Sequence, residues 1–115
     1  MVYRAVFHVD ANDGKVFGLS LNNAANLLKA VSEDHSDVVM LFNGPAVQML
    51  RQEGNAHLED IRRLQEQRVV FKACRNALSK FGVSADELVS GCRIVAAGVV
   101  ELIALQQDGY AYIKP

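Results

Sequence analysis

Five short apolar runs alternate along the chain with segments in which apolar residues recur every three to four positions. An unbroken apolar run is typical of a buried strand, and the longer spacing is typical of an amphipathic helix. We therefore predict strands at residues 3–9, 37–42, 68–72, 92–95 and 110–113. Strands that alternate with helices and long connections favour an α/β fold with a mostly parallel sheet.

The helical segments are predicted from the same spacing. The longest runs from about Leu19 to Glu33, with Ser20 as its N-cap. A short helix is predicted from about Val47, with Gly54 ending it, and further short helices or turns over residues 58–64, 75–81, 84–88 and 98–107. The last of these is apolar nearly all round, which indicates burial on more than one side. It either packs between the sheet and another helix or forms a subunit interface.

The length of 115 residues predicts a single domain over residues 1–115. A net charge of −1 gives no general attraction to nucleic acid or to anionic membranes, so neither is expected as a direct partner. The N-terminus resembles a strand and not a signal peptide, and no apolar stretch approaches the ~20 residues of a membrane-spanning helix. We expect a cytoplasmic protein with reduced thiols.

Cys74 is the one residue with a good claim to covalent chemistry. It follows the predicted third strand and precedes a helix, so it is expected at the carboxyl edge of the sheet, where α/β folds bind ligands. A helix N-terminus favours a thiolate, and Lys72 and Arg75 would add positive charge. The alternative is that Cys74 is a small buried core residue, as most free cysteines are.

Other residues predicted near that edge are His8 at the end of the first strand, the pair Asn43–Gly44 after the second, and Ala97–Gly98 before the last helix. His8 would orient a ligand, act as a base or only satisfy a hydrogen bond. Cys92 precedes the fourth strand and is expected at the opposite edge, too far from Cys74 for a disulfide.

Several classes of site lack a motif in this chain. The histidines and cysteines have no metal-ligand spacing, so no metal is expected. No phosphate-binding loop or dinucleotide glycine pattern occurs, and no cofactor is expected. No serine lies in a nucleophile-elbow motif, which disfavours a serine hydrolase.

Three segments resemble the DsrE/DsrF-like sulfur-relay family, in particular its single-domain branch. They are Phe71-Lys72-Ala73-Cys74-Arg75-Asn76-Ala77-Leu78, Ala97-Gly98-Val99-Val100-Glu101-Leu102 and the closing Gly109-Tyr110-Ala111-Tyr112-Ile113-Lys114-Pro115. The resemblance implies a three-layer α/β/α sandwich, homotrimers or homohexamers, and a cysteine near a subunit interface. Cys74 matches the position that carries sulfur in the relay proteins. Asn43 departs from the histidine that several relatives have there.

Two functions remain open at this point. In the first, Cys74 accepts sulfur as a persulfide from a donor protein and passes it to an acceptor, at most a sulfurtransferase-like activity. In the second, the crevice around His8, Asn43, Cys74 and Ala97–Gly98 binds a small ligand or anion without catalysis, and Cys74 is structural.

Overall fold

A computed structural model describes residues 1–115 and contains a five-stranded sheet in the order β4-β3-β2-β1-β5, with every neighbouring pair parallel. The strands are β1 (Tyr3–Val9), β2 (Ser36–Phe42), β3 (Val70–Cys74), β4 (Arg93–Val95) and β5 (Ala111–Ile113). The α-helices are α1 (Gly14–Val31), α2 (Leu58–Glu66), α3 (Arg75–Lys80) and α4 (Gly98–Gln107). Short 3₁₀ turns occupy Glu33–His35, Gly44–Leu50 and Ala85–Glu87.

Helices cover the sheet on both faces, which confirms the predicted three-layer architecture. The larger hydrophobic cluster includes Phe7, Met40 and Phe71 of the sheet and side chains of α1, α2 and α3. The smaller cluster, on the other face, joins side chains of β1 and β2 to Leu102 and Leu105 of α4. Because both faces are covered, the central strands are continuous apolar runs without alternation.

The outer side of α4 has no helix packed against it. Val99, Val100 and Ile103 are 61%, 65% and 51% exposed, whereas Leu102 and Leu105 on the opposite side are buried against the sheet. A second helix within the chain therefore does not explain the all-round apolar pattern of α4. No helix of the structure has the length and apolar character needed to cross a membrane.

The start of α1 was predicted wrongly. The helix begins at Gly14, five positions before the predicted Leu19, because Asp13 caps it: Asp13 Oδ1 accepts hydrogen bonds from the backbone N–H groups of Lys15 and Val16 at 2.9 and 3.3 Å. Ser20 is not a cap. It is fully buried inside the helix, and its hydroxyl has no hydrogen-bond partner.

The third strand is displaced by two residues from its predicted position. Gln67 and Arg68 form the turn that ends α2, and Arg68 has a left-handed φ of 72°, which a strand does not accommodate. Consequently β3 starts at Val70 and Cys74 is its last residue. The other boundaries agree with the prediction to within three residues, and Cys92 lies immediately before β4.

Candidate functional site

The carboxyl ends of the parallel strands meet at one edge of the sheet. Val9 pairs with Phe42 in the register of β1 and β2, and Cys74 pairs with Val95 at the ends of β3 and β4. The backbone N–H of Asn43 extends this edge by donating to the carbonyl of Val9 at 3.2 Å. Side chains that follow the strands in sequence are therefore brought together here.

A cavity of about 340 Å³ opens at this edge between three segments of the chain. Its lining includes five of the residues predicted for the site: Asn43, Gly44, Cys74, Ala97 and Gly98. Asn76, Ala77, Lys80 and Phe81 from α3 and its end, with Pro45 and Val99, complete it. Four other cavities of 270 to 660 Å³ lie elsewhere, and none of them is lined by a cysteine.

Cys74 forms part of the floor of this cavity. The residue is only 6% exposed, and it also contacts the larger hydrophobic cluster. Its neighbour at the cavity wall is Gly98: a Cβ placed on Gly98 would lie 3.4 Å from the Cβ of Cys74. Cys74 is thus a largely buried residue that still lines the cavity.

Two helices begin beside Cys74. Cys74 is itself the N-cap residue of α3, but that helix has only six residues and a correspondingly small dipole. The ten-residue α4 begins at Gly98, and no side chain caps it. The first backbone N–H groups of α4 have no partner within the helix, so they contribute partial positive charge close to the cysteine.

The two cations predicted beside Cys74 do not line the cavity. Lys72 lies on the same face of β3 as Cys74, two positions earlier, but its ammonium group is paired with the carboxylate of Glu101. Arg75 is exposed on α3. The cavity is instead lined by Lys80, which has no carboxylate partner in the chain and whose ammonium lies 5.8 Å from the centre of the Phe81 ring.

His8 lies behind the cavity and reaches it through Asn43. Its Nε2 is 2.8 Å from Asn43 Oδ1, and its Nδ1 is 2.6 Å from the hydroxyl of Tyr112 on β5. The same three residues therefore link β1, the end of β2 and β5 by hydrogen bonds. The side chain of Asn43 is within contact distance of Gly98, since a Cβ on Gly98 would meet Asn43 Nδ2 at 3.2 Å.

Gly44 is required by the backbone at the cavity rim. Its φ of +56° is left-handed, and a Cβ there would lie 3.4 Å from the carbonyl oxygen of Asp10. Glycine adopts this conformation without steric cost. Gly44 thus lets the chain turn from β2 into the 3₁₀ segment while Asn43 stays at the sheet edge.

The second cysteine is chemically separate from the first. Cys92 lies before β4, at the opposite edge of the sheet from Cys74, and both cysteines are free. Burial raises the pKa of the Cys92 thiol to about 12. No group of three His, Cys, Asp or Glu side chains is placed to hold a metal ion.

The sequence analysis missed two residues that shape this site. Lys80 is one helical turn from Ala77, and this spacing places both on the face of α3 that lines the cavity. The helical spacing in the sequence was therefore a signal that could have identified Lys80. Tyr112 gave no such signal. Its contact with His8 depends on β5 pairing with β1 across the sheet edge, which the order of strands along the chain does not reveal.

Solved structures of three proteins resemble this fold. Protein of unknown function MTH1491 from Methanobacterium thermoautotrophicum has 32% identity and a TM-score of 0.91, covering 98% of this chain and 99% of its own. The ychN protein from E. coli has 21% identity and a TM-score of 0.79 over the whole of both chains. BT1422 from Bacteroides thetaiotaomicron has 14% identity and a TM-score of 0.77, covering 97% and 94%. The last two show the fold alone.

A search of curated proteins finds no significant match. The model of the DsrE/DsrF-like family, in contrast, matches residues 3–115, nearly the whole chain and all of the cavity described above. Together with the fold shared with MTH1491, this match confirms the resemblance first seen in three short segments. The chain belongs to the DsrE/DsrF-like family.

Proposed function

We propose that this protein is a sulfur carrier in which Cys74 accepts and donates persulfide sulfur. The observation that carries the proposal is the position of Cys74: it lines a cavity at the carboxyl edge of the sheet, beside the uncapped start of α4. Family membership supports the same function, because the cysteine matches the sulfur-carrying position of the relay proteins that this chain resembles.

The transfer needs no cofactor. The Cys74 thiolate attacks the outer sulfur of a donor persulfide, R–S–SH, so that a bond forms between Cys74 Sγ and that sulfur while the S–S bond of the donor breaks. The donor leaves as the thiolate R–S⁻, and Cys74 holds the transferred sulfur as Cys74–S–SH, which loses its proton to solvent. An acceptor thiolate then repeats the attack and regenerates the Cys74 thiolate. Neither step has net oxidation.

The surroundings of Cys74 supply what such an anion needs. The free N–H groups at the start of α4 and the unpaired ammonium of Lys80 provide positive charge around the cavity. The exposed Arg75 adds to it at longer range, whereas the charge of Lys72 is matched by Glu101. Such a carrier works only where thiols remain reduced, which favours the cytoplasm.

Persulfide loading tests the proposal directly. The protein is incubated with glutathione persulfide, freed of reagent and measured as an intact chain by mass spectrometry without reductant. The wild type and Cys92→Ser should each gain one sulfur, and Cys74→Ser should gain none. Cys92→Ser is the matched control, since it removes the other thiol. Equal loading of all three proteins would reject the proposal.

A non-catalytic binding module is the second candidate, and the burial of Cys74 favours it. At 6% exposed and in contact with the hydrophobic cluster, the cysteine also has the surroundings of a packing residue. In that case Cys74→Ala would leave anion binding by the cavity unchanged. Isothermal titration calorimetry with inorganic sulfite, carried out on the wild type and on Cys74→Ala, distinguishes the two candidate functions. If both proteins bind sulfite equally and the wild type takes up no persulfide, the protein is a binding module.

We further infer that the protein self-associates through the outer side of α4, and the family resemblance implies a homotrimer or homohexamer. The argument is the apolar outer side of α4, where Val99, Val100 and Ile103 are more than half exposed and Val99 also lines the Cys74 cavity. A second copy offers the same uncovered surface, so association buries both. Light scattering of wild type and Ile103→Glu tests this: a monomeric wild type rejects the inference, and a charge-induced monomer supports it.

A further inference from the structure

We propose that Asn43 donates a hydrogen bond from its Nδ2 to the anionic sulfur on Cys74, and that His8 and Tyr112 hold the amide in the orientation this requires. The inference rests on the proposed function, since it assigns a contact to the sulfur that Cys74 carries. It adds a substrate-contacting residue and two positioning residues to a site otherwise defined by a thiol and helix ends.

The hydrogen-bond chain fixes which atom of Asn43 faces the cavity. An amide oxygen only accepts, so His8 Nε2, at 2.8 Å from Asn43 Oδ1, is the donor of that bond. In a neutral imidazole the other nitrogen then accepts, so the Tyr112 hydroxyl donates a hydrogen bond to Nδ1 at 2.6 Å. With Oδ1 engaged by His8, the NH₂ group of Asn43 points away from His8.

That NH₂ group has no hydrogen-bond partner within the chain. It lies next to Gly98, where a Cβ would be 3.2 Å from Nδ2 and 3.4 Å from the Cβ of Cys74. The missing side chain of Gly98 therefore leaves a gap that the amide and the cysteine border together. Both residues line the same cavity, so the amide and a sulfur bound to Cys74 border one space.

A hydrogen-bond donor that is already oriented is suited to stabilising an anionic sulfur. Hydrogen bonds to charged groups are stronger than those between neutral groups, and a donor that is already oriented needs no rearrangement when the charge appears. Other charges around Cys74 are the ammonium of Lys80, the Lys72–Glu101 pair and the exposed Arg75. None of these is held in a fixed orientation by a buried residue as Asn43 is by His8.

Asn43→Asp tests the contact, because it keeps an oxygen for His8 and replaces the donor with an acceptor. The readout is the rate of Cys74 alkylation by iodoacetamide from pH 6 to pH 10 in a Cys92→Ser background. We expect the rate at pH 7 to fall about tenfold and the midpoint of the profile to move to higher pH, as for loss of one charge-assisted hydrogen bond.

Asn76→Asp is the matched control. Asn76 lines the same cavity, so the substitution adds the same charge, but no histidine orients this residue. We expect a clearly smaller shift. Tyr112→Phe should shift the profile in the same direction as Asn43→Asp, by less, and should have no further effect when combined with it. Tyr112 is 42% exposed, so this variant folds even where Asn43→Asp does not.

Equal profiles for Asn43→Asp and Asn76→Asp would overturn the inference, as would a Tyr112→Phe effect that is undiminished in the Asn43→Asp background. These outcomes are separate from failure of the sulfur carrier. If wild type takes up no persulfide while Asn43→Asp still shifts the alkylation profile, the carrier function is rejected and the Asn43 contact to the thiolate stands.

Discussion

Gly98 lies against Cys74 so closely that a Cβ on the glycine would stand 3.4 Å from the Cβ of the cysteine. The same added atom would stand 3.0 Å from the Cβ of Asn43, closer than side chains normally approach. The first residue of α4 thus has to be small for the cavity to keep its shape.

We therefore expect Gly98→Ala to slow Cys74 alkylation and to lower the free energy of unfolding by about 1–3 kcal/mol, the usual cost of an overpacked contact. Gly14→Ala is the matched control. Gly14 is also the first residue of a helix, and nothing lies within 4 Å of a Cβ placed there. The control should be neutral or stabilising by up to about 1 kcal/mol. Urea unfolding and alkylation rates measure both effects, and equal behaviour would contradict the contact.

Cys92 should react far more slowly than an ordinary thiol. Its pKa of about 12 leaves roughly one molecule in a thousand as thiolate at pH 9. Peptide mapping after iodoacetamide treatment at pH 9 should find Cys92 unlabelled in the folded protein and labelled once urea unfolds it. Rapid labelling in the folded state would show that the partly buried Cys92 thiol does not have the raised pKa expected from its surroundings.

The same shift predicts a loss of stability in alkali. Because the folded state holds the Cys92 proton to a higher pH than the unfolded chain does, the stabilisation is complete below the ordinary pKa near 9 and declines as pH rises toward 12. Cys92→Ala should lack this contribution to the pH dependence. A parallel decline of unfolding free energy in both proteins between pH 9 and pH 11 would contradict it.

The capping of α1 gives a fourth prediction. Asp13→Ala removes the acceptor for two backbone N–H groups and should cost about 1 kcal/mol of unfolding free energy. Ser20→Ala, in contrast, removes a buried hydroxyl that has no partner, and it should be neutral or stabilising. Urea denaturation of the two variants measures both effects, and a larger loss for Ser20→Ala than for Asp13→Ala would contradict this prediction.

An ion pair between Lys114 and Asp10 gives a fifth prediction. Lys114 approaches Asp10 to 2.5 Å, and its hydrogen bond to the carboxylate is the main cause that lowers the pKa of Asp10. A lowered carboxyl pKa contributes stability above its unfolded value near 4, and that contribution is lost as pH falls through the folded pKa. Both side chains are about half exposed, so the effect should be below about 1 kcal/mol.

Lys114→Met should therefore be less stable than wild type at pH 7 and equal to it at about pH 2, where Asp10 is protonated in both. Urea denaturation at the two pH values measures the difference. Adding salt at pH 7 should reduce the difference in unfolding free energy between the two proteins, because the ion pair is exposed to solvent. A difference that is the same at both pH values would assign the role of Lys114 to packing.

The sequence predicted most of the fold because its signals are local. Continuous apolar runs marked the five strands, and the spacing in residues 98–107 marked α4 with both ends in place. The errors also have local causes. The start of α1 was predicted at Leu19, although an aspartate such as Asp13 before a helix is a strong cap, and Arg68 was predicted in a strand although its backbone is left-handed.

The site was less predictable, since its key contacts join distant parts of the chain. The strand ends predicted from the sequence placed Cys74, Asn43 and Gly98 at the carboxyl edge of the sheet, and these residues do line one cavity. The sequence alone does not reveal that Lys72 is paired with Glu101, because that pair depends on how α4 lies across the sheet. Nor does the sequence reveal the hydrogen bond between Tyr112 and His8, because these residues are 104 positions apart.

The pairing of β5 with β1 has a consequence for how this protein forms during translation. The first four strands can emerge from the ribosome and associate while β1 still has one unpaired edge. That edge is covered only after β5 has left the exit tunnel and paired with β1. The same pairing brings the Tyr112 hydroxyl within hydrogen-bond distance of His8. Until then the Asn43 amide is not held by a completed hydrogen-bond chain, so a nascent chain stalled before β5 would carry the nucleophile without its orienting support.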